Sequence, residues 1–190
     1  MPFSVLFVCT GNICRSPMGE RLFAARTHGY DRAEIIATSA GTNGLTGYPM
    51  DLPSASVLRE FGGDPEGHSA RRVETADLDA DLVLTATRDH RSALLRIAPL
   101  AFRRTFTMRE FGRLGSGLAE PADPPDEDGL RARVREVAAQ RGFAVPPDDP
   151  ALDDIGDPYG GSMELTRLAG RQVDDAVDAA IRALGLPAPG

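Results

Sequence analysis

The sequence predicts an α/β fold: a single-domain three-layer sandwich whose four-stranded parallel sheet is covered by helices on both faces. Short apolar runs alternate along the chain with helix-length amphipathic stretches, the pattern of repeated strand–helix–strand units. At 190 residues the chain is long enough to bury one core without metals or disulfides. Apolar residues make up 42% and charged residues 26%, the balance of a folded globular protein rather than a disordered or fibrous one.

Phe3 to Val8 is the first strand, and it runs into Cys9-Thr10-Gly11-Asn12. Ser16-Pro17 then opens a helical stretch containing Leu22, Phe23, Ala25 and Arg26, with Ser16 as N-cap and Pro17 at the first helical position. Ile35 to Ser39 reads as the second strand, Asp81 to Thr87 as the third and Arg104 to Met108 as a weaker fourth. Helical patterns fill Ser54 to Phe61, Arg88 to Ile97 and the C-terminal stretch, where Leu165, Leu168, Val173, Val177, Ala180, Ile181 and Leu184 share a face. In such folds ligands bind beyond the C-terminal ends of the strands, and Cys9 falls at one of these ends. The segment from Gly115 to Asp154 changes character: it holds Asp123-Pro124-Pro125, Val145-Pro146-Pro147 and Asp149-Pro150 around an Arg-rich helical piece from Asp128 to Arg141. It reads as a surface excursion of the one domain, residues 1–190, because too few apolar residues follow it to build a second core.

The net charge of −7 and the lack of a long basic block argue against a broad nucleic-acid or membrane-binding face, so any anion site must be local. The run Val5 to Val8 is too short for a signal-peptide core, and no stretch approaches about 18 apolar residues, so a cytoplasmic protein is expected. The two cysteines, Cys9 and Cys14, lie in one hexapeptide. That is neither a disulfide framework nor a zinc site, which would need a second ligand pair; no metal or cofactor is expected, and thiol chemistry is the better reading.

In Cys9-Thr10-Gly11-Asn12-Ile13-Cys14-Arg15-Ser16-Pro17 a cysteine ends a strand and an arginine follows six positions later, at a helix start. A loop that wraps back on itself aims successive backbone N–H groups at one point, and the helix adds its positive dipole end; the hollow suits phosphate or another oxyanion. The same field favours a thiolate at Cys9, the nucleophilic form of cysteine. Arg15 presents a planar fork that takes two phosphoryl oxygens at once, which a lysine does not. Gly11 and Asn12 suit the positive-φ positions of such a turn. Cys-x5-Arg alone also fits a buried core cysteine and a solvated arginine; the strand before it and the helix start after it favour the functional reading.

From Val8 to Pro17 the chain resembles the hallmark loop V-C-x-G-N-I-C-R-S-P of the low-molecular-weight protein-tyrosine phosphatases, and the resemblance runs nearly end to end. It implies strand order 2-1-3-4 and a nucleophilic Cys9, with Arg15 and the loop Thr10, Gly11, Asn12, Ile13, Cys14 and Ser16 holding the phosphoryl group. Thr38-Ser39-Ala40-Gly41-Thr42, Gly47-Tyr48-Pro49-Met50-Asp51 and Gly67-His68-Ser69-Ala70-Arg71 match further family segments, implying a polar network of Asn12, Ser16, Ser39 and His68 behind the loop. For His68 a purely structural role reads equally well, and His28 and His90 read as surface residues. Departure of a phenolate needs an acid. Asp-Pro pairs begin at Asp64, Asp123, Asp149 and Asp157, so the dipeptide alone selects none; the family's Asp-Pro-Tyr motif before the last helix selects Asp157. Tyr159 would then flank the pocket, a surface turn tyrosine being the alternative. Cys14 reads either as a packing residue or, as in the family, as the redox partner of Cys9.

The chain has no Trp, and Asn43-Gly44-Leu45-Thr46-Gly47 stands where many members carry one, which places Leu45 on the pocket rim and resembles the bacterial branch that serves tyrosine kinases. The implied partner is a tyrosine-phosphorylated protein, such as a bacterial tyrosine kinase. Protein-arginine phosphatases resemble this scaffold but carry threonine at the position of Ile13. Arsenate reductases with an internal cysteine relay need further cysteines downstream; one using an external thiol stays open. A phosphotyrosine-binding module without turnover would need no acid.

Overall fold

The computed structural model describes residues 1–187. Strand β1, Phe3–Cys9, runs through the middle of a parallel sheet because it is apolar on both faces, as a strand covered on both sides must be. Phe3, Val5 and Phe7 enter the larger core, whereas Leu6 and Val8 enter a smaller one with Ala40, Leu78, Val83 and Leu94. Strands β2, Ile35–Gly41, and β3, Leu82–Thr85, flank β1, and β4, Thr105–Thr107, lies beyond β3, giving the expected order 2-1-3-4. The register pairs Cys9 with Gly41, which brings the segment after β2 against the loop after β1.

Among the described residues six α-helices complete the layers: α1 Arg15–Thr27, α2 Leu52–Glu60, α3 Arg88–Ile97, α4 Met108–Gly115, α5 Glu127–Gln140 and α6 Met163–Ala183. The larger core gathers Met18, Leu22 and Phe23 of α1, Val57 and Leu58 of α2, Phe111 and Leu114 of α4, and Val173, Val177 and Ile181 of α6. The opposite face is covered by α3 through Leu94 and by the 3-10 turn Thr75–Asp79 through Leu78.

Several boundaries differ from the sequence reading. Helix α1 begins at Arg15 rather than Pro17, its N-cap position is Cys14, and no side chain caps it, so Ser16 is not the cap. The fourth strand is short because Arg104 closes a 3-10 turn and Met108 already starts α4, behind a reciprocal cap between Thr107 and Glu110. On α6, Leu165 and Leu168 are exposed; the buried face there is Ala169 and Gly170, where a Cβ on Gly170 would sit 2.4 Å from Val57 Cγ1. The Pro/Asp-rich segment is not wholly a surface excursion. Leu130, Val134 and Val137 of α5 are in the larger core, and Arg133 Nε donates to the Ala183 carbonyl at the end of α6 (3.1 Å). Only its flanks, about 116–124 and 142–152, lie mostly at the surface.

Gly19 sets α1 close on the sheet, since a Cβ there would meet the Phe7 ring at 2.6 Å. The helix N-terminus is thereby held over the C-terminal end of β1.

Candidate active site

The loop from Cys9 to Arg15 is bound from outside through its carbonyls. Cys9 O accepts from Thr42 N (2.9 Å), Thr10 O from Asn43 N (2.9 Å), Gly11 O from Leu45 N (3.0 Å) and Ile13 O from Asp51 N (2.9 Å). His68 Nε2 donates to Asn12 O at 2.7 Å, completing five successive outward carbonyls. With the carbonyls turned out, the peptide N–H groups turn toward the centre, and those of the first turn of α1 add to them without a competing side-chain cap. The reversal needs one left-handed residue: Asn12, at φ 58°, is the only non-glycine with positive φ among the described residues. Gly11 is not left-handed, contrary to expectation. A Cβ on Gly41 would lie 2.3 Å from Thr10 O, and one on Gly44 would lie 2.1 Å from Arg71 O. Both glycines let the second strand's loop close on the first.

Asn12 is fully buried and uses its whole amide. Its Nδ2 donates to Ser16 Oγ (3.0 Å) and Ser39 Oγ (2.8 Å), and its Oδ1 accepts from Arg71 N (2.9 Å). Ser39 Oγ donates in turn to Glu20 Oε2 at 2.5 Å. Ser16 Oγ lies 3.0 Å from Cys9 Sγ and 3.3 Å from the Ala40 carbonyl. When Cys9 is a thiolate, the Ser16 hydroxyl is the donor of that contact. The four residues expected behind the loop therefore form one cluster, with Glu20 as a member that no sequence signal indicated.

Arg15 is 4% exposed. Its NH1 donates to the Ile155 carbonyl (2.9 Å), its NH2 pairs with Asp157 Oδ2 (3.1 Å), and its Nε is buried without a hydrogen-bond partner among the described residues. Burying a guanidinium with one donor unpaired is costly, and an oxyanion in the loop offers that donor an acceptor. Of the Asp-Pro aspartates, Asp64 and Asp149 accept from backbone N–H groups two residues on, as turn starters do. Asp157 does the same to Tyr159 N (3.2 Å) but also reaches Arg15, so it alone among these is brought to the loop. Its segment is anchored by residues the sequence reading missed. Arg113 holds Asp153 at 2.7 Å, Arg88 holds Asp154 at 3.1 Å, and Ile155 N donates to Ala86 O at 2.9 Å. Leu45 lies at the lip, its Cδ1 3.8 Å from where a Gly11 Cβ would be, and Tyr159 is largely exposed beside Asp157.

Cys9 and Cys14 are both buried free thiols. Burial pushes the Cys14 thiol up to about 12, against the lowering influence of its Ser54 hydrogen bond, so it stays protonated. His90 is a correction: it is a buried residue, not a surface one, with Nε2 2.8 Å from Thr10 Oγ1 and Nδ1 2.7 Å from Thr87 Oγ1. Thr87 and His90 are the N-cap and third residue of α3, a spacing that signals their contact with each other but not the one with Thr10. Burial first, and the Arg15 charge second, lower the His90 pKa to about 4, outweighing Asp157, Asp89 and Asp154.

A depressed histidine makes the folded state bind fewer protons than the unfolded state between about pH 6.5 and 4. The stability that neutral His90 contributes is thus present above about pH 6.5 and lost as pH falls through 4. In chemical denaturation the advantage of wild type over His90→Gln is expected to shrink by up to about 3 kcal/mol between pH 7 and pH 4. A difference that stays constant across that range would refute the assignment.

Comparison with known proteins places this architecture. Residues 4–142 match the family model described as low molecular weight phosphotyrosine protein phosphatase. The chain belongs to that family. It is similar to the low molecular weight protein-tyrosine-phosphatase Etp of Escherichia coli, at 42% identity over 98 residues, 50% of this chain and 62% of that protein, so the match spans less than two thirds of the relative. It is also similar to a protein-arginine-phosphatase of Geobacillus stearothermophilus, at 27% identity over 94% of this chain and 93% of that one. The crystal structure of the family member from T. tengcongensis superposes with a TM-score of 0.69 at 29% identity, covering 94% of this chain and 97% of that chain. The family match ends before Asp157, so that residue rests on its contact with Arg15 rather than on the matched segment. Among the described residues no helix is long and apolar enough to cross a membrane, and no cluster of metal-ligating side chains is present.

Proposed function

We propose that the chain is a protein-tyrosine phosphatase that hydrolyses phosphotyrosine through a cysteinyl-phosphate intermediate. The reading is carried by one observation: Arg15, paired with Asp157, ends a loop that begins at Cys9 and whose carbonyls from Cys9 to Ile13 are all held from outside. In the first step the Cys9 thiolate attacks phosphorus and the P–O bond to the phenol breaks, while Asp157 gives its proton to the departing oxygen. In the second step the Asp157 carboxylate takes a proton from water, the water oxygen attacks phosphorus, and the S–P bond breaks. The thiolate that leaves accepts a hydrogen bond from Ser16, and phosphate is released. Arg15 and the loop N–H groups stabilise the equatorial oxygens in both steps.

Leu45 and Tyr159 would flank the aryl ring, and Cys14 would act as the redox partner of Cys9, its thiol displacing water from the sulfenic acid that a peroxide forms at Cys9 to give a disulfide. The substrate would be a tyrosine-phosphorylated protein in the cytoplasm, such as a bacterial tyrosine kinase. The similarity to a protein-arginine-phosphatase supplies a second reading, against which Ile13 offers no polar atom to a phosphoramidate. A phosphotyrosine peptide, a phosphoarginine peptide and an aryl phosphate, assayed side by side for phosphate release, decide between them. The phosphotyrosine peptide is expected to be preferred by at least about tenfold in kcat/KM, a differential of about 1.4 kcal/mol in transition-state binding. Preference for phosphoarginine would overturn the proposal.

A further inference from the structure

We propose that His90 is a positioning residue for the phosphate-binding loop, acting as a clamp between Thr10 and the start of α3. This rests on the phosphatase reading only in what the loop binds. His90 is 9% exposed, and both of its ring nitrogens are spent on threonine hydroxyls: Thr10 beside the nucleophile at 2.8 Å and Thr87 at 2.7 Å. Thr87 is also the N-cap of α3, accepting from His90 N at 3.3 Å, so the ring is fixed to a rigid helix start on the far side of β3. The clamp thus ties the loop after β1 to the helix after β3 across the C-terminal edge of the sheet.

Two features separate this from an ordinary buried histidine. First, the ring is buried with both nitrogens engaged, and the Arg15 charge disfavours its imidazolium, while Asp157, Asp89 and Asp154 oppose that effect. A buried imidazole is an expensive way to fill space, and an apolar side chain would fill it without a desolvation cost. Second, the anchors on the loop carbonyls all come from residues 42 to 68, after β2, whereas Thr10, held at its carbonyl by Asn43 N (2.9 Å), is also held at its hydroxyl by His90, from beyond β3. Thr10 follows the nucleophile directly and its side chain is otherwise exposed, so without the second tether the first peptide of the loop has a free rotor at the mouth of the site. Fixing that rotor pre-organises the N–H groups that receive phosphoryl oxygens.

Side-chain reach provides the test. Glutamine places a polar atom near the position of His Nε2 and retains the bond to Thr10; asparagine reaches only the position of Nδ1 and retains the bond to Thr87. Valine at position 10 keeps the shape of threonine and removes the hydroxyl. The affinity of each variant for inorganic phosphate is measured by calorimetry, beside kcat/KM for an aryl phosphate and the unfolding midpoint. T10V and H90N are each expected to weaken phosphate binding by about five- to tenfold, the loss of one hydrogen bond, with H90Q within about twofold of wild type. The T10V/H90N double variant is expected to bind no more weakly than either single variant, because both remove the same bond. Equal losses in H90N and H90Q, unchanged binding in T10V, or variants that lower only the unfolding midpoint would each overturn the clamp. Wild-type protein that binds phosphate but turns over no aryl phosphate would instead sink the phosphatase reading and leave the clamp to be decided by binding alone.

Discussion

Cys9→Ser is expected to reduce hydrolysis of aryl phosphates by on the order of 10⁴-fold or more while leaving phosphate binding nearly intact. The two halves of this expectation have separate structural causes. Turnover needs an ionised nucleophile, and a serine hydroxyl is ionised only far above neutral pH; among the described residues no histidine or carboxylate is hydrogen-bonded to Cys9 Sγ to act as its base, the contact there being Ser16 Oγ at 3.0 Å. Binding depends on the backbone. The outward carbonyl contacts to Thr42, Asn43, Leu45, Asp51 and His68 do not involve the sulfur, and Arg15 is fixed by the Ile155 carbonyl. Single-turnover kinetics with an aryl phosphate, together with calorimetry of phosphate binding, separate the two. Retained turnover would remove Cys9 from the nucleophilic role, and lost binding would show that the thiolate, rather than the peptide N–H groups, shapes the loop.

The sheet was legible because its central strand is apolar on both faces, a pattern that leaves Phe3 to Val8 no other place in a folded chain. The loop was legible because cysteine, glycine, asparagine and arginine stand in fixed order between a strand and a helix. Other features depend on chain segments brought together only by folding. Helix α4 announced itself by Thr107 and Glu110, a three-residue spacing that caps a helix, but the run looked like a strand because Phe106 and Met108 are apolar and alternate. Helix α5 looked superficial because it is Arg-rich and lies between Asp-Pro and Pro-Pro segments, yet its Leu130, Val134 and Val137 recur at helical spacing and enter the core, while Arg131 and Arg133 turn to Asp81 and the Ala183 carbonyl. His90 lies 80 residues from Thr10, and Glu20 lies 19 from Ser39; no local pattern encodes either meeting. The register of β1 on β2 and β3 creates them.

Asp157→Asn is expected to lower kcat/KM by about 10²- to 10⁴-fold for substrates with poor leaving groups and by far less for good ones, since a stable phenolate departs without a proton. Asparagine keeps the shape and the turn to Tyr159 N but supplies no proton in the first step and no base in the second. The substitution also removes a charge from Arg15. Because the Asp157 side chain is 55% exposed, their 3.1 Å ion pair contributes little to stability, about 1 kcal/mol at most, so the folded state should persist. Its larger effect is on binding. Asp157 occupies one end of the guanidinium that an oxyanion would otherwise claim, so the variant is expected to bind phosphate about as tightly as wild type or a few-fold more tightly. Turnover and affinity should therefore move in opposite directions. A plot of kcat/KM against leaving-group pKa should steepen in the variant; an unchanged slope, or a loss of affinity parallel to the loss of rate, would mean that Asp157 positions Arg15 and that the leaving group takes its proton from elsewhere.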